Sequence, residues 1–362
     1  MPRVLVDLLF FTGRQGGTET VAREIYSRLA DRPGWEFIGY ASAELVERGA
    51  DWFPGQLIDS GLRTTNRAQW LWGELTGVAE AARRAAADVI HSPANFGPPA
   101  SPVPLVLTLH DVLAFRHPEF LPSRIGRIPT RWLIRRAAAA ATHIVTDSDD
   151  ARADIIDIFG FDASRVTVVR PGAPALDEST EQVRSAAELF SLGNRMPHKN
   201  FPLLLEALAL IPPSRRPRLT ISGSHEDDPL RPVVDRLGLG PWVSLESWLP
   251  SEEIARLYRT STAMVFPTRF EGFGLPVLEA MAHGCPVLCS DIPVLHEVGG
   301  DAAIYFDPTS ASAMAEAIDA ALGDPQRRSS LADAGRRRVA AFRWDEATER
   351  MADVLEHAAG GA

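Results

Sequence analysis

A chain of 362 residues is long enough for two domains, each with a core of its own. Apolar residues make up 45% and charged residues 23%, the balance of a globular protein, and the net charge of −10 argues against bulk nucleic-acid binding, so any anionic partner must be met by a local basic patch. Two cysteines, Cys285 and Cys289, fit a reducing compartment, and their C-x3-C spacing reads as small buried apolar residues rather than a zinc site.

The N-terminal stretch MPRVLVDLLFF is apolar but interrupted by Arg3 and Asp7. It is too short to span a bilayer and has no cleavage region, so a cytoplasmic protein is expected. Residues 3–11 read as a buried strand, followed by a glycine-rich turn and a helix over TETVAREIYSRLA capped by Thr18. DVIHS (88–92), PLVLTLH (104–110), HIVTDS (143–148) and RVTVVRPGA (165–173) read as further strands. Residues 174–190 are polar and acidic and read as a linker or surface helix. The rhythm then restarts. FPLLLEALALI is a helix, followed by strands RLTISG (218–223) and WVSLES (242–247). The helix SEEIARLYRTS is expected to be capped by Ser251. AMVFPT (263–268) is a strand, PVLEAMAH a helix and CPVLCS (285–290) a strand, and helices near 325–341 and 344–358 close the chain.

Strands alternating with helices imply parallel α/β architecture: two doubly wound domains, 1–173 and 191–340. Residues 341–362 form a last helix that could pack back on the first domain. Open parallel sheets bind ligands beyond the C-terminal ends of their strands, which points to a cleft between the domains.

The segment TRFEGFGLPVLEAMAHGCPVL (268–288) leaves the end of a predicted strand and enters a helix. Pro276 suits the first helical position and Gly284 the position after the helix. Glu271 then lies in the loop and Glu279 in the first helical turn. Glycines let a ligand approach the backbone, free N–H groups at the helix start favour phosphate, and carboxylates bind vicinal hydroxyls. Two glutamates around such a turn suit a nucleotide sugar. The plainer alternative is a dipole-complementing Glu279 and a solvated Glu271.

The string FPTRFEGFGLPVLEAMAHGCPVLCSDIPVLHEV resembles the E-x7-E signature of the family-four retaining glycosyltransferases. The resemblance extends along most of the chain and implies the two-Rossmann GT-B fold, a nucleotide-sugar donor and no metal. It implies that Glu271 holds hydroxyls of the donor sugar and Glu279 those of the ribose. The backbone of Gly272, Phe273, Gly274 and Leu275 would approach the sugar and diphosphate. In SLGNRMPHKNFPLLLEAL (191–208), Lys199 matches the family's diphosphate-binding lysine. Asn194 stands where the family has an arginine, with Arg195 beside it, which leaves open whether Arg195 reaches the phosphate. In TLHDVLAFRHPEF, His110 is the candidate for the family's histidine near the donor sugar, with Asp111 to orient it. His117 reads as structural or acceptor-facing. In GRQGGTE, Gly16 and Gly17 would line the cleft, although a simple strand-to-helix turn fits equally.

DSDD (147–150) contains the D-x-D of metal-dependent single-domain glycosyltransferases, but here Ser148 or Asp149 reads as a helix cap. HEDD (225–228) reads as a surface loop near the nucleotide. Arg127, Arg131 and Arg135 recur every four residues beside Trp132, a solvated face or a contact for anionic membrane at its inner surface. Pro129 limits where that helix begins.

The expected function is hexosyl transfer with retention to an acceptor hydroxyl of a glycan, glycolipid or small molecule. The mannosyltransferase branch and GDP-mannose are the first choice. The alternatives are a nucleotide-sugar 2-epimerase of the same fold and a catalytically silent partner subunit.

Overall fold

The computed structural model describes residues 2–13, 16–30, 32–121, 124–176, 187–224 and 227–360. The chain divides into two compact units. The first comprises Met1–Pro118, Ser123–Gly172 and Arg343–Ala362, the second Glu119–Pro122 and Ala173–Phe342.

The first unit is built on strands β1 (Arg3–Leu8), β2 (Glu36–Ala41), β3 (Gln56–Asp59), β4 (Val89–Ser92), β5 (Leu105–Thr108), β6 (His143–Thr146) and β7 (Val166–Val168). They pair in the order β3-β2-β1-β4-β5-β6-β7, every pair parallel. The second unit has β8 (Glu188–Leu192), β9 (Arg218–Ser224), β10 (Val243–Ser247), β11 (Ala263–Phe266), β12 (Val287–Ser290) and β13 (Ala303–Phe306). Their order, β10-β9-β8-β11-β12-β13, is also wholly parallel. Each sheet reverses direction once, between β1 and β4 and between β8 and β11, the arrangement of a doubly wound Rossmann-like fold.

Alternate residues of the second sheet feed two cores. Leu189, Ala263, Val265 and Leu288 join one cluster, and Phe190, Met264, Phe266, Val287 and Cys289 the other. Strands buried on both faces read as unbroken apolar runs, which is why AMVF and PVLC are legible as strands. Cys285 and Cys289 form no disulfide and are buried in the second cluster.

Several expectations are revised. Strand β8 begins at Glu188, inside the segment read as linker, and residues 177–186 of that segment lie outside the described ones. Strands β2, β3 and β13 are not among the strands expected from the sequence, although EFIGYA and AIYF are apolar runs. Gly16, not Thr18, caps the helix Gly17–Leu29. Ser251 is the first residue of its helix, after Pro250 as cap. The helix Arg124–Ala140 runs through Pro129 instead of starting after it, and Thr130 Oγ1 donates to the Gly126 carbonyl at 2.8 Å. The closing helices are Pro325–Val339 and Trp344–Gly360. The latter belongs to the first unit, where Glu349 meets Arg32 at 2.9 Å. Among the described residues no helix is long and apolar enough to cross a membrane.

The first unit buries a carboxyl pair beside its switch point. Asp7, at the end of β1, accepts from the Leu9 N–H and Ser92 Oγ, each at 3.2 Å. Burial pushes its pKa up to about 6, against these hydrogen bonds and one from Glu74. Burial and the Asp7 charge hold Glu74 well above the carboxylate range, so Glu74 keeps its proton and donates it to Asp7. The folded state therefore binds the Asp7 proton more tightly than the unfolded chain does. That stabilisation is complete below the ordinary value of 3.8 and is lost as pH rises through about 6. Thermal melts of the wild type and Asp7→Asn across this window should converge or cross as pH rises, with the variant gaining. A pH-independent difference in melting temperature would contradict the shared-proton arrangement.

Candidate functional site

The loops after β8 and β11 leave neighbouring strands at the switch point of the second sheet. The first passes Gly193 and forms the single turn Pro197–Lys199 before the helix Phe201–Leu210. The second runs from Pro267 to Gly274 before the helix Leu275–Ala282. Backbone pairing alone would not fix these loops, so side chains and carbonyls clasp them. The His198 carbonyl accepts from the Arg269 N–H at 2.7 Å and from Thr268 Oγ1 at 3.2 Å. Asn200, at φ +61°, donates through Nδ2 to the carbonyls of Pro267 at 3.0 Å and Pro308 at 2.8 Å. Left-handed backbone is tolerated by asparagine better than by most residues.

This clasp brings Lys199 Nζ to 2.6 Å from Glu271 Oε1. Their side chains are 15% and 13% exposed, so the pair is reachable without being loose in solvent. The residues following Glu271 turn sharply. Gly274 lies at φ +115°, and a Cβ there would stand 2.7 Å from Leu295 Cδ2, so only glycine fits. Phe273 points into the core and meets Phe342 edge-on at 5.9 Å, which leaves the loop's backbone as its outward feature. The helix Leu275–Ala282 has no side-chain cap at its start, and Pro276 occupies its first turn. Gly284 closes it, with the Gly284 N–H on the Met281 carbonyl at 2.9 Å and the Cys285 N–H on Ala280 at 2.7 Å. Glu279, one turn in, is half-buried and accepts from the Tyr258 hydroxyl at 3.1 Å. Burial raises its pKa, partly offset by that hydrogen bond.

Arg195, whose reach toward a phosphate the sequence left open, is engaged within the fold. It does not extend toward the Lys199–Glu271 pair. Its guanidinium is buried against Asp228, with Nη2 2.7 Å from Oδ2 and side chains 7% and 8% exposed. All five N–H donors are engaged. Nε serves Asp228, Nη1 the carbonyls of Gly193 (2.9 Å) and Ser222 (3.1 Å), and Nη2 the Ile221 carbonyl (3.2 Å) and Asp228. A phosphate could gain Arg195 only by breaking this set. Burial alone would raise Asp228, but hydrogen bonds from Arg195 and the Leu230 N–H outweigh it and hold the carboxyl below its usual range. Asp228 lies in the loop after β9 with its side chain turned inward, beside the exposed Asp227 and Pro229; His225 and Glu226 lie outside the described residues.

In the first unit His110 follows β5 and is buried. Its orienting carboxylate is Asp147, not Asp111: Nδ1 lies 2.7 Å from Asp147 Oδ2. Asp111 instead accepts from the Leu113 N–H at 2.8 Å and starts the short helix Leu113–Arg116. His110 Nε2 lies 3.0 Å from the Pro93 carbonyl. Both ring nitrogens thus face acceptors, and only the imidazolium can donate to both. Burial would lower its pKa, but the Asp147 charge and hydrogen bond raise it above the ordinary value. Asp147 sits in the D-x-D, whose Ser148 caps the next helix through the Ala151 N–H at 3.0 Å. His117 ends the short helix, its N–H on the Leu113 carbonyl at 2.9 Å.

Gly16 is extended at the cap of its helix, and Gly17 is that helix's first residue. Of the arginine stripe, Arg131 and Arg135 each lie 5.2 Å over the Phe115 ring, and Arg127 is half-buried. Two large apolar side chains on that helix are exposed, Ile128 at 77% and Trp132 at 51%.

Three contributors escaped the sequence: Asp147, Asp228 and Asn200. For Asp147 a signal existed, a polar residue ending a buried strand beside β5. Asp228 is 33 residues from Arg195 in an ordinary acidic run, and nothing local marks it. Losing one partner of such a buried pair typically costs about 3–5 kcal/mol. Arg195→Lys, which cannot reproduce five donors, should lower the melting temperature while leaving the nucleoside diphosphate affinity of the folded protein within about twofold. A tenfold loss of affinity with unchanged stability would return Arg195 to the phosphate.

Residues 15–175 match the model described as Glycosyltransferase Family 4, and residues 176–338 that of Glycosyl transferases group 1. O-antigen chain mannosyltransferase B of Escherichia coli is 33% identical over 284 residues, 74% of each chain. Among solved structures, sucrose-phosphate synthase of Thermosynechococcus elongatus superposes with a TM-score of 0.79 at 17% identity, covering 100% of both chains. HepE of Anabaena in complex with UDP-glucose gives a TM-score of 0.76 at 18% identity, covering 98% of this chain and 99% of its own. Two doubly wound parallel sheets, the E-x7-E loop at the second switch point and these matches lead to one assignment: the chain belongs to glycosyltransferase family 4 and has the GT-B fold.

Proposed function

We propose that this glycosyltransferase moves a mannosyl unit from GDP-mannose to an acceptor hydroxyl of a glycan, lipid-linked sugar or small molecule, with retention and without a metal. The observation that carries the donor reading is the Lys199–Glu271 pair, 2.6 Å apart beside an uncapped helix start at the sheet's switch point. Lys199 and the first N–H groups of Leu275–Ala282 offer a diphosphate positive charge. A bound diphosphate would compete for Lys199 and release Glu271 to accept from sugar hydroxyls. The backbone at Gly272 and Gly274 would lie against the sugar. Glu279, kept partly buried by Tyr258, suits two ribose hydroxyls. His110, in the first unit, is the proposed catalytic histidine, a held cation whose charge suits developing negative charge. The mannosyltransferase relative supports the sugar, and HepE's UDP-glucose supports the donor class.

Retention without a nucleophile on the far face asks the acceptor to enter where the diphosphate leaves. The leaving phosphate then takes the acceptor's proton, and Lys199 steadies its charge. Incubation with a panel of nucleoside diphosphate sugars and candidate acceptors should give transfer that survives a chelator. The proton spectrum of the product should keep the donor's anomeric configuration. An inverted product, an epimerised donor, or activity lost to EDTA and restored by manganese would overturn the corresponding part.

A second reading concerns the helix Arg124–Ala140. Ile128 and Trp132 stand exposed one turn apart, with Arg135 and Arg136 exposed beyond them. We propose that this face meets an anionic membrane surface peripherally. Sedimentation with vesicles containing anionic lipid should show binding that falls with salt and with Trp132→Ser plus Arg135→Glu. Absence of binding at low salt would leave this face as solvated surface.

A further inference from the structure

Histidine 198 occupies the middle of the turn Pro197–Lys199, next in sequence to the lysine of the site. It is 9% exposed, and its Nδ1 is buried with no hydrogen-bond partner. An orphaned buried polar atom costs about 1–3 kcal/mol, so its retention needs a reason. Packing is not one, since a leucine would fill the space without the cost. The other buried histidines are fully partnered. His91 meets Tyr26 Oη at 2.5 Å and Thr108 Oγ1 at 3.0 Å, and His110 meets Asp147 and Pro93.

The residue is also held in place from behind. Its carbonyl is gripped by Arg269 and Thr268 of the loop that carries Glu271. The ring lies against Phe120, centroids 6.4 Å apart, and Arg269 lies over the other ring at 5.1 Å. Burial and the neighbouring Lys199 push the pKa down to about 4, against the pull of Glu271. His198 is therefore neutral near pH 7 and carries one N–H, free to sit on Nδ1.

The Arg195 donors are all engaged, so any second donor to a diphosphate beside Lys199 would come from another residue. We propose that His198 is that donor, a neutral positioning residue whose Nδ1–H binds a phosphate oxygen beside Lys199. The inference rests on the nucleotide-sugar reading above. A neutral donor adds a hydrogen bond without competing with Lys199 for Glu271.

Nucleoside diphosphate and monophosphate affinities of the wild type, His198→Leu and His198→Asn test this by calorimetry. His198→Leu should weaken the diphosphate about tenfold, the worth of one hydrogen bond, and the monophosphate less than twofold. Its melting temperature should be unchanged or higher, because the orphan is gone. His198→Asn, whose amide nitrogen stands near Nδ1, should recover most of the diphosphate affinity. Equal loss for both nucleotides, or no loss in His198→Leu, overturns the assignment to His198 alone. A wild type that binds no nucleoside diphosphate overturns the donor reading itself, and His198 with it.

Discussion

Strand β11 hydrogen-bonds to β8, with Ala263 opposite Leu189 and Met264 opposite Phe190, and everything at the site follows from that pairing. In this doubly wound sheet the unit's first and fourth strands lie side by side, and helices leave such a switch point toward opposite faces. The loops beyond their C-terminal ends therefore diverge around a crevice instead of crossing it. Lys199 belongs to one loop and Glu271 to the other. No local sequence signal could bring them together, because 72 positions separate them. Parallel pairing does so at the cost of long crossovers, whose helices then bury both faces of the sheet.

Charge within this crevice is divided between two ion pairs with different fates. Arg195–Asp228 is almost closed to solvent, and three backbone carbonyls complete its hydrogen bonds. Such a pair is rigid, since any rearrangement strands a buried charge. Lys199–Glu271 is joined through Nζ and Oε1 and is more exposed. Its Lys can change partners at lower cost. Burial, not residue type, separates the scaffold cation from the one available to a ligand. The departure at Asn194, where a family arginine is expected, is consistent with that division, for Arg195 serves the loop that presents Lys199.

How far the sequence went can be read from particular residues. Apolar runs such as AMVF and PVLC were legible because strands buried on both faces leave no other pattern. Gly274, Gly284 and Pro276 were legible because backbone geometry restricts what can stand there. The E-x7-E spacing was legible because it lies within one loop and one helical turn. Strands β2, EFIGYA, and β13, AIYF, are about as apolar as AMVF but lack the flanking helix and turn signals that singled AMVF out, so they were not read as strands. Partnerships were the least legible. Asp111 is adjacent to His110 and looked like its partner, yet a strand-end side chain is met by the neighbouring strand's end. Asp147 follows β6, which pairs with β5, and that geometry decides the match.

Among the described residues three histidines are buried, and their neighbours set their protonation. His91 lies between two hydroxyls, which can each donate or accept, so it stays neutral, its pKa pushed down to about 3 by burial and then by the charge of His110. His110 lies between a carboxylate and a carbonyl, which only accept, so it must carry both protons. Beside Lys199, His198 has no such acceptor and remains neutral. Each state follows from the hydrogen-bonding character of the neighbours. Within the first unit the two states are linked: a charged His110 makes protonation of His91 harder, and Asp147 holds the charge on His110. A single proton thus settles on the ring that faces two acceptors, and the polar end of the β4–β5 region is held in one arrangement.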